Sequence, residues 1–414
     1  MTTDRTWTPG RGHGPSGWWP PGLGEPGPTP PSRAYGRRAK PGQGQGPGHG
    51  AGQGHGAGQG HGPGPGNRPG HGHGHGHGHG HGHGPGHGAG PTGEILFFAW
   101  TIDGTEPTSQ EDIFGVDVAT GTVRRLTDQS SGVPFISDRD ASWSPDHSRI
   151  VFMSSDAIVP THLPVLSAAG GPVADLPVEG ATPIWVDAAT VLCVVGRAGP
   201  DGIYNRDDLV AVDVPSGSVR PVTAVAPGEH LGEPAWHAAG GLVTTLIRED
   251  PVSGEWSGSQ LVVAPPAAVT AALAGGSPLT TASFTDVAPG STWPAGPDWS
   301  PDGSRIAFSA TRPCATTQPD GTPVLQMDIA VVTLPAPGGS GPGALEWITD
   351  DTAGDYDAGL NDGSPAFSPD GLWLAWARGH EDDWTTIVLK QLGDSGVPTV
   401  LLGDQHWFRW GLDW

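Results

Sequence analysis

Lysine, cysteine and long apolar runs are all scarce in this chain of 414 residues. Lys40 and Lys390 are the two lysines among 20 basic residues, which face 43 acidic ones, and the resulting net charge of −23 opposes binding to nucleic acid and to anionic membranes. No stretch approaches the roughly 18 apolar residues that a membrane-spanning helix needs. The two cysteines, Cys193 and Cys314, fall in different repeat units, so we expect no disulfide, and Cys193 lies in an apolar segment typical of a core strand.

Signatures of common enzyme classes are also missing. The chain has no Gly-x-Ser-x-Gly nucleophile elbow, no phosphate-binding loop and no dinucleotide-binding fingerprint. We therefore expect a non-catalytic protein that requires no cofactor. The alternative is a metal-dependent hydrolase or lyase, because histidines such as His230, His380 and His406 fall in loops rich in carboxylates.

Composition divides the chain into two regions. Residues 1–92 are mostly Gly, Pro and His and hold almost no aliphatic residues, so they cannot bury enough apolar surface to offset chain entropy, and we predict a disordered tail. Seven of the 20 basic and two of the 43 acidic residues lie in this tail, which leaves 13 basic and 41 acidic residues for the region 93–414. That second region is rich in Trp and in strand-forming residues, and we predict a folded, strongly acidic domain.

A short phrase recurs in the second region. It reads Trp-Ser-Pro-Asp-Gly at Trp299, Phe-Ser-Pro-Asp-Gly at Phe367 and Trp-Ser-Pro-Asp-His at Trp143. Pro at the second turn position and Gly at a later, left-handed position predict a tight hairpin turn between two strands. His147 replaces this Gly in one copy, and His is among the residues that tolerate positive φ.

Each copy continues with a second strand pair, such as the segments that begin at Asp112, Asp208 and Asp328. Four short strands per unit, with turns at regular spacing, predict one blade of a β-propeller. Degenerate copies of the phrase keep the aromatic residue but lack the Pro-Asp-Gly turn. The six marker aromatics are Trp143, Trp185, Trp236, Trp299, Phe367 and Trp414.

The last of these copies ends the chain. Residues 409–414 resemble the innermost strand of a blade whose other strands are missing there, and the segment that begins at Glu94 supplies such strands at the other end. We therefore predict six blades over 93–414, closed by the C-terminal strand. The marker aromatics themselves are expected to fill the core between blades and not to form a site.

The Trp-Ser-Pro-Asp-Gly phrase and the paired strands that follow it resemble the TolB-like propeller family over roughly residues 93–414. The resemblance implies an all-β, six-bladed propeller that serves as a protein-interaction module. The repeat also resembles the propeller that caps prolyl-oligopeptidase-like peptidases. A propeller related to those proteins but without their hydrolase domain is thus another alternative.

Acidic residues concentrate in the loops that this blade pattern places on one face. Single-sign charge around a concavity attracts a ligand of opposite charge, so we predict that a protein or peptide, basic in character, binds at this acidic face and at the channel mouth. The residues assigned to the face are Asp138, Asp140, Asp207, Asp208, Glu249, Asp250, Asp355, Asp357, Asp382 and Asp383. The oxygen-rich segment around Asp355 and Asp357 could also hold calcium, although its spacing does not match an EF-hand loop.

Histidines alternate with glycine through the tail. Neutral imidazole suits Ni, Zn and Cu, and glycine spacing lets several rings reach one ion, so we predict divalent-metal binding there. The predicted ligands are His71, His73, His75, His77, His79, His81 and His83. A linker without a metal role is the alternative, since such repeats expand easily.

The sequence also leads to expectations about cellular location and oligomeric state. Residues 1–25 contain no apolar segment typical of a signal peptide. Although the namesake of the TolB-like family is periplasmic, we therefore expect this chain in the cytoplasm. We also expect a monomer. The Lys-poor composition rich in Gly, Ala, Pro and Arg is typical of GC-rich genomes, so we expect the chain to come from a bacterium.

Overall fold

The computed structural model describes residues 90–101, 111–128, 137–155, 161–199, 204–250, 255–317, 323–336, 339, 341–350, 361–380, 385–403 and 407–414. These residues all belong to one compact unit. Residues 1–89 of the predicted tail, which include the seven histidines of the predicted metal site, lie outside the described residues. Four residues of the predicted acidic face also lie outside them, namely Asp355, Asp357, Asp382 and Asp383.

Strands dominate the described residues. In chain order they are β1 Glu94–Thr101, β2 Asp112–Asp117, β3 Val123–Arg125, β4 Ser137–Trp143, β5 Arg149–Ser155, β6 Leu163–Ser167, β7 Pro172–Leu176, β8 Ala181–Trp185, β9 Thr190–Ala198, β10 Tyr204–Asp213, β11 Val219–Pro221 and β12 Glu229–His237. The second half contains β13 Gly241–Glu249, β14 Trp256–Ala264, β15 Thr285–Asp286, β16 Thr292–Trp299, β17 Arg305–Thr317, β18 Pro323–Thr333, β19 Ala344–Trp347, β20 Asp362–Phe367, β21 Trp373–Gly379, β22 Thr385–Gln391, β23 Thr399–Leu402 and β24 Trp407–Asp413.

These strands form six antiparallel blades of four strands each. Blade 1 has the order β24-β1-β2-β3, and blades 2 to 6 are β4–β7, β8–β11, β12–β15, β16–β19 and β20–β23. One parallel pair, Asp207 with His230, links blades 3 and 4. In blade 1, Trp410 lies opposite Phe98. The last strand of the chain therefore completes the sheet that the first strand begins, as the sequence predicted.

The first strand of each blade faces the centre of the molecule. In the order β24, β4, β8, β12, β16 and β20, each of these strands contacts the next, and β20 contacts β24. Six strands that contact one another in a closed ring must enclose an axis. We call the space that they enclose the axial channel.

The recurrent phrase forms the tight turn between the first and second strands of a blade. In blade 5, Ser300 Oγ donates to Asp302 Oδ1 at 2.7 Å, and the N–H of Ser304 donates to the same oxygen at 3.0 Å. Gly303 has φ 67°, and His147 at the equivalent position of blade 2 has φ 52°. The predicted left-handed position is therefore confirmed, and His147 occupies it despite its Cβ.

The arginine that follows this turn contacts the next blade. Arg305 lies over the ring of Phe367 at 5.3 Å and donates from Nη2 to the carbonyl oxygen of Gly371 at 2.9 Å. Arg149 makes the equivalent pair of contacts, with its guanidinium 4.7 Å from the ring of Trp185. One arginine thus combines a cation–π contact with a hydrogen bond across a blade interface.

The core lies between adjacent blades, and marker aromatics belong to it. Trp143 packs with Leu96 and Phe98 of blade 1, and Trp299 packs with Val243 and Leu261 of blade 4. Each marker therefore fills the space between its own blade and the preceding one, as its scaffold assignment predicted.

One helix interrupts the strand pattern, and the repeat phrase gave no signal of it. Helix α1 (Pro266–Leu273) and a short 3-10 turn (Thr281–Ser283) lie between β14 and β15. Val269 and Ala272 of α1 are buried in the core of blades 3 and 4. Within the described part of the chain, no helix has the length and apolar character required to cross a membrane.

Candidate functional site

Three residues assigned to the acidic face do not lie on an exposed surface. Asp138, Asp207 and Asp208 are 0%, 2% and 4% exposed. Asp138 lies near the start of β4, and Asp207 and Asp208 lie in the middle of β10, whereas the sequence pattern had placed all three in exposed loops. The strands begin earlier than the apolar pattern indicates, because buried hydrogen bonds and ion pairs accommodate these carboxylates.

Asp208 shows how one such carboxylate is accommodated. Its Oδ1 accepts hydrogen bonds from Thr223 Oγ1 at 3.1 Å and from the N–H of Val225 at 2.9 Å. The Arg206 guanidinium lies 3.2 Å from its Oδ2. The same Asp–Thr hydrogen bond recurs between equivalent residues of two other blades, Asp112 with Thr127 and Asp328 with Thr349. Asp208 is thus part of the blade scaffold.

Asp207 joins two blades. Its Oδ2 lies 2.8 Å from Nδ1 of His230, which sequence analysis had placed in a loop but which is buried in β12. The His230 Nε2 lies 3.7 Å from Glu249 Oε2, at the half-buried end of β13. Asp250 follows Glu249 and is partly exposed. Asp207, His230 and Glu249 thus form a polar junction between blades 3 and 4.

Asp140 lies in a different place, on the axial channel. It has φ 52°, and the pairing of β4 with β5 shifts register between Arg139 and Ser142. All six innermost strands carry such a bulge, and each has a residue with positive φ three positions before its marker aromatic. These residues and their φ angles are Asp140 52°, Thr182 44°, Glu233 49°, Gly296 56°, Ser364 51° and Gly411 62°. We call this set the bulge ring.

Contacts within the bulge ring connect neighbouring blades. The N–H of Gly296 donates to Glu233 Oε2 at 2.7 Å, and the N–H of Gly411 donates to Ser364 Oγ at 3.2 Å. A methyl group added to Gly411 would lie 3.7 Å from Asp140 Oδ1. Side chains and backbone of the ring therefore meet around the axis.

A second pair of carboxylates lies two residues further along the strands. Asp298 Oδ2 accepts from the N–H of Phe367 at 2.7 Å, and Asp413 Oδ2 accepts from the N–H of Trp143 at 2.6 Å. Each bond joins one innermost strand to the next. At about 3.3 Å of rise per residue, this pair lies roughly 7 Å along the axis from the bulge ring.

The four axial carboxylates are poorly compensated. Burial raises the pKa of Asp140 and of Asp413 to about 6, and that of Glu233 and of Asp298 to about 7. Mutual repulsion adds to burial, since Asp140 raises the pKa of Glu233 and Asp413 raises that of Asp298. All four side chains keep some exposed surface, but that surface faces a narrow channel walled by protein, so the desolvation persists.

Sequence reasoning missed three of these four residues. Glu233, Asp298 and Asp413 received no role because the strand pattern treats residues beside a marker aromatic as scaffold. A signal was present in the repeated Asp-Trp pairs at Trp299 and Trp414, where an acid precedes a buried aromatic. The described residues contain no cluster of three or more His, Cys, Asp or Glu positioned to hold a metal ion.

Comparison with known proteins rests on structure. No family model matches the chain, and no curated protein matches it. TolB from Acinetobacter baumannii superposes with a TM-score of 0.54 at 15% identity, over 78% of this chain and 66% of that one. The fold is that of a TolB-like β-propeller. Hydrazine synthase from Kuenenia stuttgartiensis superposes on this TolB-like propeller with a TM-score of 0.52 at 12% identity.

Both similarities concern part of a larger protein. The TolB-like propeller spans about two thirds of the Acinetobacter baumannii TolB chain and 46% of the hydrazine synthase chain. At these identities the similarity establishes the fold of the TolB-like propeller and nothing about its activity. Function must be argued from the axial site itself.

Proposed function

We propose that this TolB-like propeller is a non-catalytic binding module for a protein or peptide segment that carries a cationic side chain into the axial channel. One observation supports this proposal above others. Four carboxylates, Asp140, Glu233, Asp298 and Asp413, surround the axis, and none of them appears in a salt bridge with Lys, Arg or His among the described residues. A cationic ligand would stabilise the ionised carboxylates that burial disfavours, and would offset the repulsion that acts on Glu233 and Asp298.

The position of these carboxylates favours a binding role over a purely structural one. Asp112, Asp208 and Asp362 are also buried acids, yet each has an arginine partner, such as Arg378 at 2.8 Å from Asp362. Among the described residues, the hydrogen bonds to the axial acids come from backbone N–H groups. Buried acids elsewhere in the scaffold are thus compensated by arginine. Acids that lack such compensation around a concavity are typical of a ligand site.

A peptide-display selection on the immobilised full-length chain tests this function. We expect the selected peptides to contain Lys or Arg and to lose binding to the double variant Glu233→Gln, Asp298→Asn. The variant Asp175→Asn, at an exposed position of outer strand β7, serves as the control. Failure to select any peptide above background would contradict the proposed function.

A second candidate is a hydrolase or lyase that acts in the channel. It is favoured by the pKa values of about 7 for Glu233 and Asp298, which suit general acid–base catalysis at neutral pH. Turnover of a panel of lactones and esters, lost in Glu233→Gln, would support it. Peptide binding without turnover would support the binding function instead.

A further inference from the structure

The bulge ring has two unlike halves. Blades 2, 3 and 4 contribute the oxygen-bearing side chains of Asp140, Thr182 and Glu233, one from each blade in succession. Blades 5, 6 and 1 contribute Gly296, Ser364 and Gly411, which are small. Both carboxylates of the ring therefore lie on one side of the axis, and little side-chain volume stands on the other.

The acceptors on the polar side have few donors. Asp140 Oδ2 and Thr182 Oγ1 are both buried, and neither has a hydrogen-bond partner among the residues that the structure describes. The only hydrogen bond of Glu233 among the described residues comes from the N–H of Gly296. A buried polar atom without a partner destabilises the fold, so this half of the ring is organised for a group that donates several hydrogen bonds at once.

Charges of both signs act on the ring, and the one cation among them, Arg139, lowers the pKa of Asp140 without offsetting its burial. Arg139 lies next to Asp140, but its guanidinium pairs with both oxygens of Glu111 and lies 5.5 Å from the ring of Phe98. Glu111 and Asp140 are the other charged groups that act on this half, and both repel further negative charge. His147 acts on Asp413, outside the ring.

We propose that the bulge ring binds the guanidinium group of an arginine delivered by the partner segment, with Asp140, Thr182 and Glu233 as the acceptors. This assignment rests on the proposed binding function and names its ligand.

Guanidinium fits this arrangement better than other cations. The acceptors come from three successive blades and are spread around the axis. A guanidinium group presents five N–H donors in a rigid planar fork that can reach several of them, whereas an ammonium group is a compact point charge with three donors. A metal ion would find two carboxylates at this level, and the described residues contain no cluster of three ligands.

Binding should also be linked to protons. With pKa values of about 6 and about 7, Asp140 and Glu233 are partly protonated in mild acid. A guanidinium ion binds the ionised carboxylates, so binding must release protons and must strengthen as pH rises. The affinity is expected to level off once both groups are ionised.

Calorimetric titration of the full-length chain tests the assignment. The probes are three capped tripeptides, Gly-X-Gly, in which X is arginine, lysine or the neutral isostere citrulline. We expect the arginine probe to bind at least about tenfold more tightly than citrulline, a difference of about 1.4 kcal/mol, and more tightly than lysine. Titration in two buffers of different ionisation enthalpy should show proton release at about pH 6.5 and none at about pH 8.5.

Variants distinguish the ring from the rest of the channel. Asp140→Asn and Glu233→Gln should each weaken the arginine probe at least about tenfold, whereas Asp175→Asn should not. Thermal unfolding of each variant checks that it folds. Equal binding of arginine and citrulline, equal binding of arginine and lysine, or retention of affinity in both variants would overturn the assignment. Peptides selected by display that need no arginine would overturn it too, yet would leave the proposed function standing; absence of any selected peptide would remove the function itself.

Discussion

The N–H of Trp143 donates a hydrogen bond of 2.6 Å to the carboxylate of Asp413, across a sequence separation of 270 residues. This bond joins β4 of blade 2 to β24, the strand that closes blade 1. The Trp414 indole adds a second tie, from Nε1 to the carbonyl oxygen of Thr92 at 3.1 Å. Hydrogen bonds that involve side chains thus hold β24 in place in addition to its strand pairing with β1.

Replacement of Asp413 separates the role of its oxygen from that of its charge. Asp413→Ala leaves the N–H of Trp143 without its acceptor, and we expect its free energy of unfolding to be about 1–3 kcal/mol lower than that of Asp413→Asn, which removes the same charge. Asp413→Asn keeps an oxygen acceptor and removes a charge whose pKa is raised to about 6, so above about pH 7 it should be at least as stable as the parent. Urea unfolding measures both; equal destabilisation by Ala and Asn would show that the bond is not the source of the effect.

Stability should fall as pH rises from about 4 to about 8. The folded state binds protons on Asp140, Glu233, Asp298 and Asp413 more tightly than the unfolded chain does, because their pKa values are raised to between about 6 and about 7. Their contribution is complete below the ordinary carboxyl pKa near 4 and is lost as pH passes through the folded values.

Thermal unfolding followed by circular dichroism measures this dependence. The double variant Glu233→Gln, Asp298→Asn should have a flatter profile than the parent, and Asp175→Asn should keep the parent profile. At low pH, Asp302 in the turn of blade 5 has the opposite effect on stability, because hydrogen bonds lower its pKa to about 2. Its contribution is lost as pH falls below about 4. If the parent protein gained stability between about pH 5 and about pH 8, the axial carboxylates would not destabilise the fold when they ionise, and this prediction would be wrong.

The turn glycine of blade 5 should resist substitution for two reasons. Gly303 has φ 67°, and a methyl group there would lie 2.2 Å from Nδ1 of His237, whose Nε2 is within 3.0 Å of the Pro301 carbonyl oxygen. Gly121 has φ 68° with open space around it. We expect Gly303→Ala to cost at least about 1 kcal/mol more than Gly121→Ala, since both replacements share the conformational strain and only the first adds a clash. Chemical denaturation of the two variants measures the difference, and equal losses would refute the steric part.

Arginine at the blade interface should not be replaceable by lysine. Arg305→Lys keeps the charge but loses the planar group that covers Phe367 and reaches the Gly371 carbonyl, and we expect a loss of about 0.5–2 kcal/mol in unfolding free energy. The exposed Arg197 provides the matched control, since Arg197→Lys changes no such contact. Loss of stability in the control and not in Arg305→Lys would exclude the interface role.

Metal binding by the histidine-rich segment remains a prediction from sequence. Deletion of residues 71–83 removes seven histidines from a Gly-His repeat, and we expect calorimetric titration with Ni²⁺ to show several-fold less bound metal than in the full-length chain. A chelator should reverse the binding to the full-length chain. Unchanged binding after the deletion would locate the metal elsewhere.

The sequence by itself determined the blade and its turn. Ser300, Asp302 and Gly303 interact within a few residues, so their types alone predict the hairpin, and recurrence of the phrase predicts repetition of the blade. The C-terminal copy likewise pointed to closure by β24, because a single innermost strand without partners must find them at the other end.

Tertiary structure alone decided which acids are available. Asp207, Asp208 and Asp140 look alike in sequence. The first two bind His230 and Thr223 in the scaffold, whereas the buried Oδ2 of Asp140 has no hydrogen-bond partner in the described part of the chain. The axial set joins carboxylates from blades 1, 2, 4 and 5, whose separation along the chain hides their proximity. The physical reason is that the conformation of a turn depends on residues that are neighbours in sequence. Burial and repulsion depend on residues that are neighbours in space, and only closure of the ring of blades brings these residues together.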